Sequence, residues 1–429
     1  MRRKILGMVI LLVLLASVGA GAKPTIRYAT SWLQRVGGSE WEKQIYAYAD
    51  AVKDKVTFKW EITQGDDLRT KIKTDLAANN LPDVFNYWTR GSLKTMVDAG
   101  KLMEVHDYLK NSKVVKWEDF PFDDWAAYSL DGGKNVYGFP IEGSTAFMLA
   151  NKKLFAKYNL KYPKTEAELL AVSKVFNANG IVPLAIGSKG GNPAHFWVGE
   201  IFYQLAGDAQ GQGFTNGTVK YTTPEMLRTA QLIEEQRKAG VFPKDTLANG
   251  DFGPAVALYN EGKAAMIMSF PWMISTFSKD IVAGSDYIYA PAMPGAKNLP
   301  TSFIVGGANH GLVVNAASYK DPAKQAALTD FLDFFLSDKQ MNLLASTLGL
   351  WVDKNMTLDE KMLSPLYVMT GKGVRGKNLW INLWTRMPDP TTAEVFSTAA
   401  DELWAGTITP QGYVDEVQKS LDDYFASNK

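Results

Sequence analysis

The 429-residue chain contains no cysteine. That absence excludes disulfides, thiolate zinc sites, iron–sulfur ligation, a cysteine nucleophile and the acylated cysteine of bacterial lipoproteins. Histidine is almost as scarce: three residues, at 106, 195 and 310, stand too far apart in sequence to suggest a local metal motif. The spacings of a P-loop, a zincin HExxH helix, a GxSxG elbow and an EF-hand are all missing. An excess of one charge is missing too, since 46 basic residues face 45 acidic ones for a net charge of +1. A surface so balanced does not concentrate polyanions by its field, which argues against a nucleic-acid partner. No repeat and no low-complexity tract interrupts the chain.

What is present begins with an address. Arg2, Arg3 and Lys4 precede an uncharged stretch of 18 residues, 5–22, that ends in Ala20-Gly21-Ala22. A charged start, an apolar middle and an Ala-x-Ala end predict a secretory signal peptide cleaved after Ala22. The protein is then expected in the periplasm with no lipid anchor, and losing three cations changes its charge from +1 to 1 − 3 = −2. Retention as a membrane anchor is the competing reading, because 18 residues is borderline for spanning. The small residues 19–22 favour cleavage.

Beyond the leader, strand and helix patterns alternate. Residues 25–30 read as a strand, and Ser39 with Glu42 forms a capping box for a helix ending near 55. Val56, Phe58, Trp60 and Ile62 alternate with polar residues as a half-buried strand does. A helix over 67–79 stops at Pro82, and 83–88 returns as a strand. This rhythm predicts a parallel sheet covered by helices. It restarts after Pro140: Thr165 and Glu168 cap a helix, 181–186 is a buried parallel-type strand, and Thr223-Pro224 opens another helix that stops at Gly240. Two α/β lobes are therefore expected, with mostly helical sequence after Pro322.

Chemical motifs are few. Gly371, Gly373 and Gly376 fit the dinucleotide pattern GxGxxG, but they lie between helical stretches rather than after a strand, so a mobile loop is the better reading and no cofactor is expected. Carboxylate neighbours such as Asp66-Asp67, Asp123-Asp124, Glu234-Glu235 and Asp401-Glu402 lie side by side in sequence, whereas glycoside hydrolysis needs two carboxyls facing each other across a bond. Asp66 and Asp67 read as helix caps, and a cap near a strand end can also reach a ligand. The aromatic content stands out, with 12 Trp, 18 Tyr and 21 Phe. Trp41 and Trp60 follow buried stripes. Trp88 ends a strand, where open α/β sheets place ligands, and Trp272 has the same position after the strand 264–269.

In order along the chain, Asn80-Leu81-Pro82-Asp83-Val84-Phe85, Gly138-Phe139-Pro140 with Asn151-Lys152-Lys153-Leu154-Phe155, and Glu261-Gly262-Lys263-Ala264-Ala265-Met266 with Phe270-Pro271-Trp272 resemble one family. Residues 331–338 and Leu403-Trp404-Ala405-Gly406 extend the likeness over most of the mature chain. Each motif is loose alone, and their ordered set is specific. The family is that of the extracellular (periplasmic) solute-binding proteins, family 1, which includes maltose-binding protein and other sugar receptors of ABC importers.

The resemblance implies a type II periplasmic binding protein fold, α/β, each lobe a sheet flanked by helices and the two joined by hinge strands. It implies lobes of 23–141 with 292–345 and of 146–289 with 352–429, and hinges near 142–145, 290–291 and 346–351. It implies aromatic platforms at Trp88 and Trp272, a hydroxyl contact at Trp32, and cleft contacts from Asn192, His195 and Trp197. Gly307, in the pair Gly306-Gly307, is expected near the cleft, as are Trp351, Trp384 and the cap residue Asp67. After Trp88 the sequence Thr89-Arg90-Gly91-Ser92 lacks the Asp-Arg pair of maltose-binding protein, which argues against maltose itself. The expected protein is a monomeric, non-enzymatic receptor that closes on a carbohydrate, in particular an oligosaccharide, and delivers it to a membrane permease. The alternatives are a secreted glycoside hydrolase and a receptor for a peptide, polyamine or metal chelate.

Overall fold

The computed structural model describes residues 23–35, 38–63, 65–120, 122–189, 194–246, 252–299, 304–348, 351–352 and 380–428, with a few positions between 361 and 369. Ten strands among them form two sheets. The strands are β1 (Thr25–Thr30), β2 (Thr57–Ile62), β3 (Val84–Trp88), β4 (Phe139–Thr145), β5 (Phe147–Asn151), β6 (Val182–Ala185), β7 (Ala264–Ser269), β8 (Ser285–Ile288), β9 (Ile304–Val314) and β10 (Trp351–Val352). The larger sheet runs β10-β4-β9-β3-β1-β2, and the smaller one β6-β7-β5-β8.

The local signals act as their chemistry predicts. Ser39 Oγ accepts the amide of Glu42 (3.1 Å), starting the helix Glu40–Ala51. Thr165 and Thr223 do the same for Glu166–Ala178 and Pro224–Lys238. Gly180 and Gly240 follow their helices with φ of +70° and +75°, which a side chain at that position would resist. The alternation over 56–62 gives β2, but Phe58 and Trp60 are only half-buried because β2 is the edge of its sheet.

The strands whose rhythm predicts parallel pairing do pair in parallel, within sheets that are mixed as a whole. β1 pairs in parallel with β2 and β3, and β6 with β7. β9 runs antiparallel to both β3 and β4, and β5 antiparallel to β7 and β8. The βαβ rhythm sets parallel pairs within each lobe, but a chain that leaves one sheet for the other must return, and the returning strand enters in the opposite sense.

Each sheet has its own apolar core. One gathers Tyr28, Trp32, Trp41, Phe85, Phe139, Phe331 and Phe335 around the six-stranded sheet. The other gathers Trp197, Tyr203, Met266, Trp384, Phe396 and Trp404 around the four-stranded sheet, where the last helices, Pro390–Ala405 and Pro410–Ser427, also pack. The chain first crosses between sheets at Ala146, between β4 and β5. The second crossing comes later than 290–291: Met293 still packs in the second core, and the amides of Lys297 and Asn298 donate to Gln204 O on that side. Trp351 pairs with Gly143 of β4, placing β10 on the edge of the larger sheet.

Candidate functional site

The site is best built outward from the end of β3. Val84 to Phe85 run through the first core, and β3 delivers Trp88 to its rim, half-buried and packed against both cores. One face of its indole meets the His310 ring from β9 (centroids 4.7 Å apart). His310 Nδ1 lies 3.3 Å from Glu142 Oε2, and the Trp32 Nε1–H donates to the same oxygen (3.1 Å). Glu142 stands opposite His310 where β4 and β9 shift register, just before the first crossing. A bulge at a sheet rim commonly re-aims a side chain, here a buried carboxylate.

The second lobe answers with Trp384. Asn382 caps the short helix Leu383–Arg386, its Oδ1 accepting the Trp384 amide (3.0 Å), while its Nδ2 lies 3.2 Å from His195 Nε2. The indole so held faces the guanidinium of Arg69, from the helix Gly65–Ala77 of the first lobe. Arg69 Cζ lies 4.3 Å from the Trp384 ring centroid and 4.2 Å from that of Trp88. Two aromatic faces from opposite lobes thus meet on one cation, an arrangement favoured by the ring quadrupoles. The lobes also touch directly: a methyl group on Gly91 would come within 2.4 Å of Met387 O and 2.7 Å of the Pro388 carbonyl carbon. Farther out, Lys73 and Glu394 pair across the same boundary at 3.2 Å.

Two arginines, one from each lobe, stand near this contact. Arg90 follows Trp88 with φ +56°, whereas the other described non-glycine residues with positive φ, Asn79 and Asn159, are asparagines, which tolerate it better. Burial, then the proximity of Arg386, pushes its guanidinium down to about 10, so it stays charged at neutral pH. Arg386 is buried and its Nη2 donates to Asp208 Oδ1 (2.6 Å). Burial also raises the Tyr203 phenol well above its ordinary range. Among the described residues no group of three or more His, Asp or Glu is arranged to hold a metal ion.

The expected site residues divide accordingly. Trp88 and Trp384 come together. Trp32 is a correction: it is fully buried, stacked on Phe335 (5.8 Å), with its N–H committed to Glu142. Trp197 is another, fully buried in the second core with its N–H donated to Gln236 Oε1 (2.9 Å). In both, the indole N–H finds its acceptor inside the lobe. His195 is buried, with its Nε2 3.2 Å from Asn382 Nδ2. Asp67 is exposed in the first turn of its helix. Gly307 lies within β9, Trp351 within β10 and Trp272 in the short 3₁₀ turn Pro271–Thr276 after β7, but the side chains of Trp272 and Trp351 are outside the described set, as is Asn192 entirely. The glycine-rich segment 371–376 also lies outside it.

Sequence reading missed Arg69, Glu142, His310, Asn382 and Arg386. Arg69 follows Leu68 on an amphipathic helix and reads there as a solvated cation. Arg90 registered only as a departure from a family pattern. The one available signal was position, since Glu142 and His310 stand on strands that end at the lobe boundary.

Comparison with known proteins agrees with this architecture. A galactooligosaccharide-binding protein of Bacillus subtilis (strain 168) is 28% identical over 301 residues, 67% of this chain and 63% of that protein, so the match spans less than two thirds of the relative's length. A chitin oligosaccharide binding protein has the same fold, with a TM-score of 0.81 at 20% identity, covering 94% of this chain and 100% of that one. So does a structure from work on xylan utilisation by the thermophilic bacterium Caldanaerobius polysaccharolyticus, with a TM-score of 0.78 at 24% identity and coverage of 92% and 99%. Residues 33–342 match the family of bacterial extracellular solute-binding proteins, and with its two lobes and the aromatic pair between them the chain belongs to that family.

Proposed function

We propose that this protein is the substrate-binding component of an ABC importer, capturing a carbohydrate, in particular an oligosaccharide, in the cleft between its lobes and handing it to a membrane permease. The observation that carries this reading is the convergence of Trp88 and Trp384 from opposite lobes on the one guanidinium of Arg69. Indole faces suit the C–H faces of sugar rings, and contacts drawn from both lobes favour the closed form, because a contact made equally in open and closed states shifts nothing. The oligosaccharide ligands named for the Bacillus relative and the chitin-oligosaccharide structure support the substrate class. Micromolar binding needs about 8 kcal/mol, of which two stacked rings supply only ~1 each, so hydrogen bonds and released water carry the rest.

In this reading the protein is exported with its leader removed after Ala22, works as a monomer and performs no covalent chemistry. Among the described residues no helix is long and apolar enough to cross a membrane. The lobes are read as 23–145 with 304–352 and as 146–298 with 380–428, hinged where the chain crosses between sheets. Titration calorimetry against a panel of oligosaccharides tests the assignment. A saccharide bound at micromolar Kd, recovered with no new reducing ends, is the expected result. Release of reducing ends would instead establish a hydrolase, and exclusive binding of a peptide, polyamine or metal chelate would move the protein to another substrate class.

A further inference from the structure

Accepting that the ligand is a saccharide, the charges at the lobe boundary say more about which kind. Arg90 belongs to the first lobe, in the turn that follows Trp88, and its guanidinium donates to Thr89 Oγ1 (3.3 Å). Among the described residues no carboxylate lies within ion-pair distance of it. The charges that face it are Arg386 of the second lobe, which repels it, and, at longer range, Asp124, with the phenols of Tyr203 and Tyr128 beside it. Arg386 is buried and has one carboxylate, Asp208, on its Nη2, yet its buried Nε–H meets no acceptor among the described residues. Two cations from opposite lobes therefore approach each other when the lobes meet, and one of them keeps an unmet donor.

We infer that the ligand carries a carboxylate, that of an acidic sugar residue such as a uronate, which seats between Arg90 and Arg386. A guanidinium fork matches a carboxylate in geometry as well as charge. The seat explains three features together. Arg90 is held in the left-handed region, where an arginine is strained, and such strain persists where the surrounding structure needs the residue's position. Gly91 is pressed against the backbone of Met387 and Pro388, so the Arg90 turn and the segment that follows the Arg386 helix are docked on each other. The two guanidinium groups repel each other across the lobe contact, so an anion between them turns an obstacle to that contact into an interaction that favours it. A neutral sugar leaves the obstacle in place.

The test uses the mature protein, a panel of uronate-bearing oligosaccharides (oligogalacturonates, glucuronate-substituted xylo-oligosaccharides, mannuronate and guluronate oligomers) and the same oligosaccharides after carboxyl reduction. Titration calorimetry is expected to find an acidic ligand bound about ten- to a hundredfold more tightly than its carboxyl-reduced counterpart, the factor of one charge-assisted pair. Arg90→Gln should erase that preference, and Arg90→Lys should restore part of it. Folding of both variants is checked by circular dichroism, and an independent readout on the unmodified protein is salt: raising ionic strength should weaken the acidic ligand while leaving its reduced form unchanged. Equal binding of acidic and reduced forms would overturn the inference while leaving the carbohydrate reading intact. So would a preference for sulfated or phosphorylated oligosaccharides over carboxylated ones. Failure of the folded protein to bind any saccharide, neutral or acidic, would overturn both.

Discussion

Trp88 and Trp384 each stand about one stacking distance from the guanidinium of Arg69, at 4.2 and 4.3 Å. Because they share that partner, their contributions are coupled. Trp88→Ala and Trp384→Ala are each expected to weaken oligosaccharide binding about five- to tenfold, the worth of one aromatic contact. The double variant should depart from additivity by at least ~0.5 kcal/mol in a calorimetric cycle, since neighbours around one group do not act independently. At this scale the sequence was only partly informative. Trp88 was legible from its place at the end of a strand. Trp32 and Trp197 were not distinguishable from it, because an indole buried against a carboxylate or an amide has the same local pattern as one at the boundary between the lobes.

At the scale of the element, the short helix Leu383–Arg386 carries both Trp384 and Arg386 and depends on a single cap. Asn382→Ala removes the oxygen that accepts the Trp384 amide and the amide group beside His195, so it should lower stability by about 1 kcal/mol in urea unfolding and weaken the ligand as well. A second element makes a pH prediction. Glu166, at the start of the helix Glu166–Ala178, is buried, and burial raises its carboxyl above the usual range despite the bond from Gln236. A carboxyl raised in the folded state destabilises it when ionised and ceases to do so as pH falls through the folded and then the unfolded value. Glu166→Gln should therefore be more stable than the parent at pH 7 in thermal melts, and the two should converge below the usual carboxylate range. Caps and stops were the most legible elements of all, because Ser39, Thr165, Thr223, Gly180 and Gly240 act on backbone within a few residues of themselves.

For the whole molecule the relevant quantity is the balance between open and closed lobes. Gly91→Ala places a methyl group where Met387 O would be only 2.4 Å away, and both neighbours are backbone atoms that cannot swing aside. The variant should fold with unchanged stability without ligand, lose at least tenfold in affinity, and fail to contract on ligand addition in small-angle X-ray scattering. Unchanged affinity would show that closure does not bring these segments together. For the parent protein, a ligand present at 100 times its Kd should add about 2.7 kcal/mol to stability, which gives the thermal-shift screen its signal.

Composition, periodicity and turn chemistry by themselves determined the class of this protein: two α/β lobes, no cysteine, a leader pattern and an ordered set of family motifs. These are properties of short stretches, and short-range physics acts on them directly. The tertiary structure decided the rest. It decided which strands run antiparallel, since that depends on how often the chain crosses between sheets. It also brought Arg69, Trp88 and Arg90 to Trp384 and Arg386, residues about 300 positions apart in sequence that meet only when two separately folded lobes touch. No local pattern encodes that meeting, because the energy that produces it resides in contacts between the lobes and not within either one.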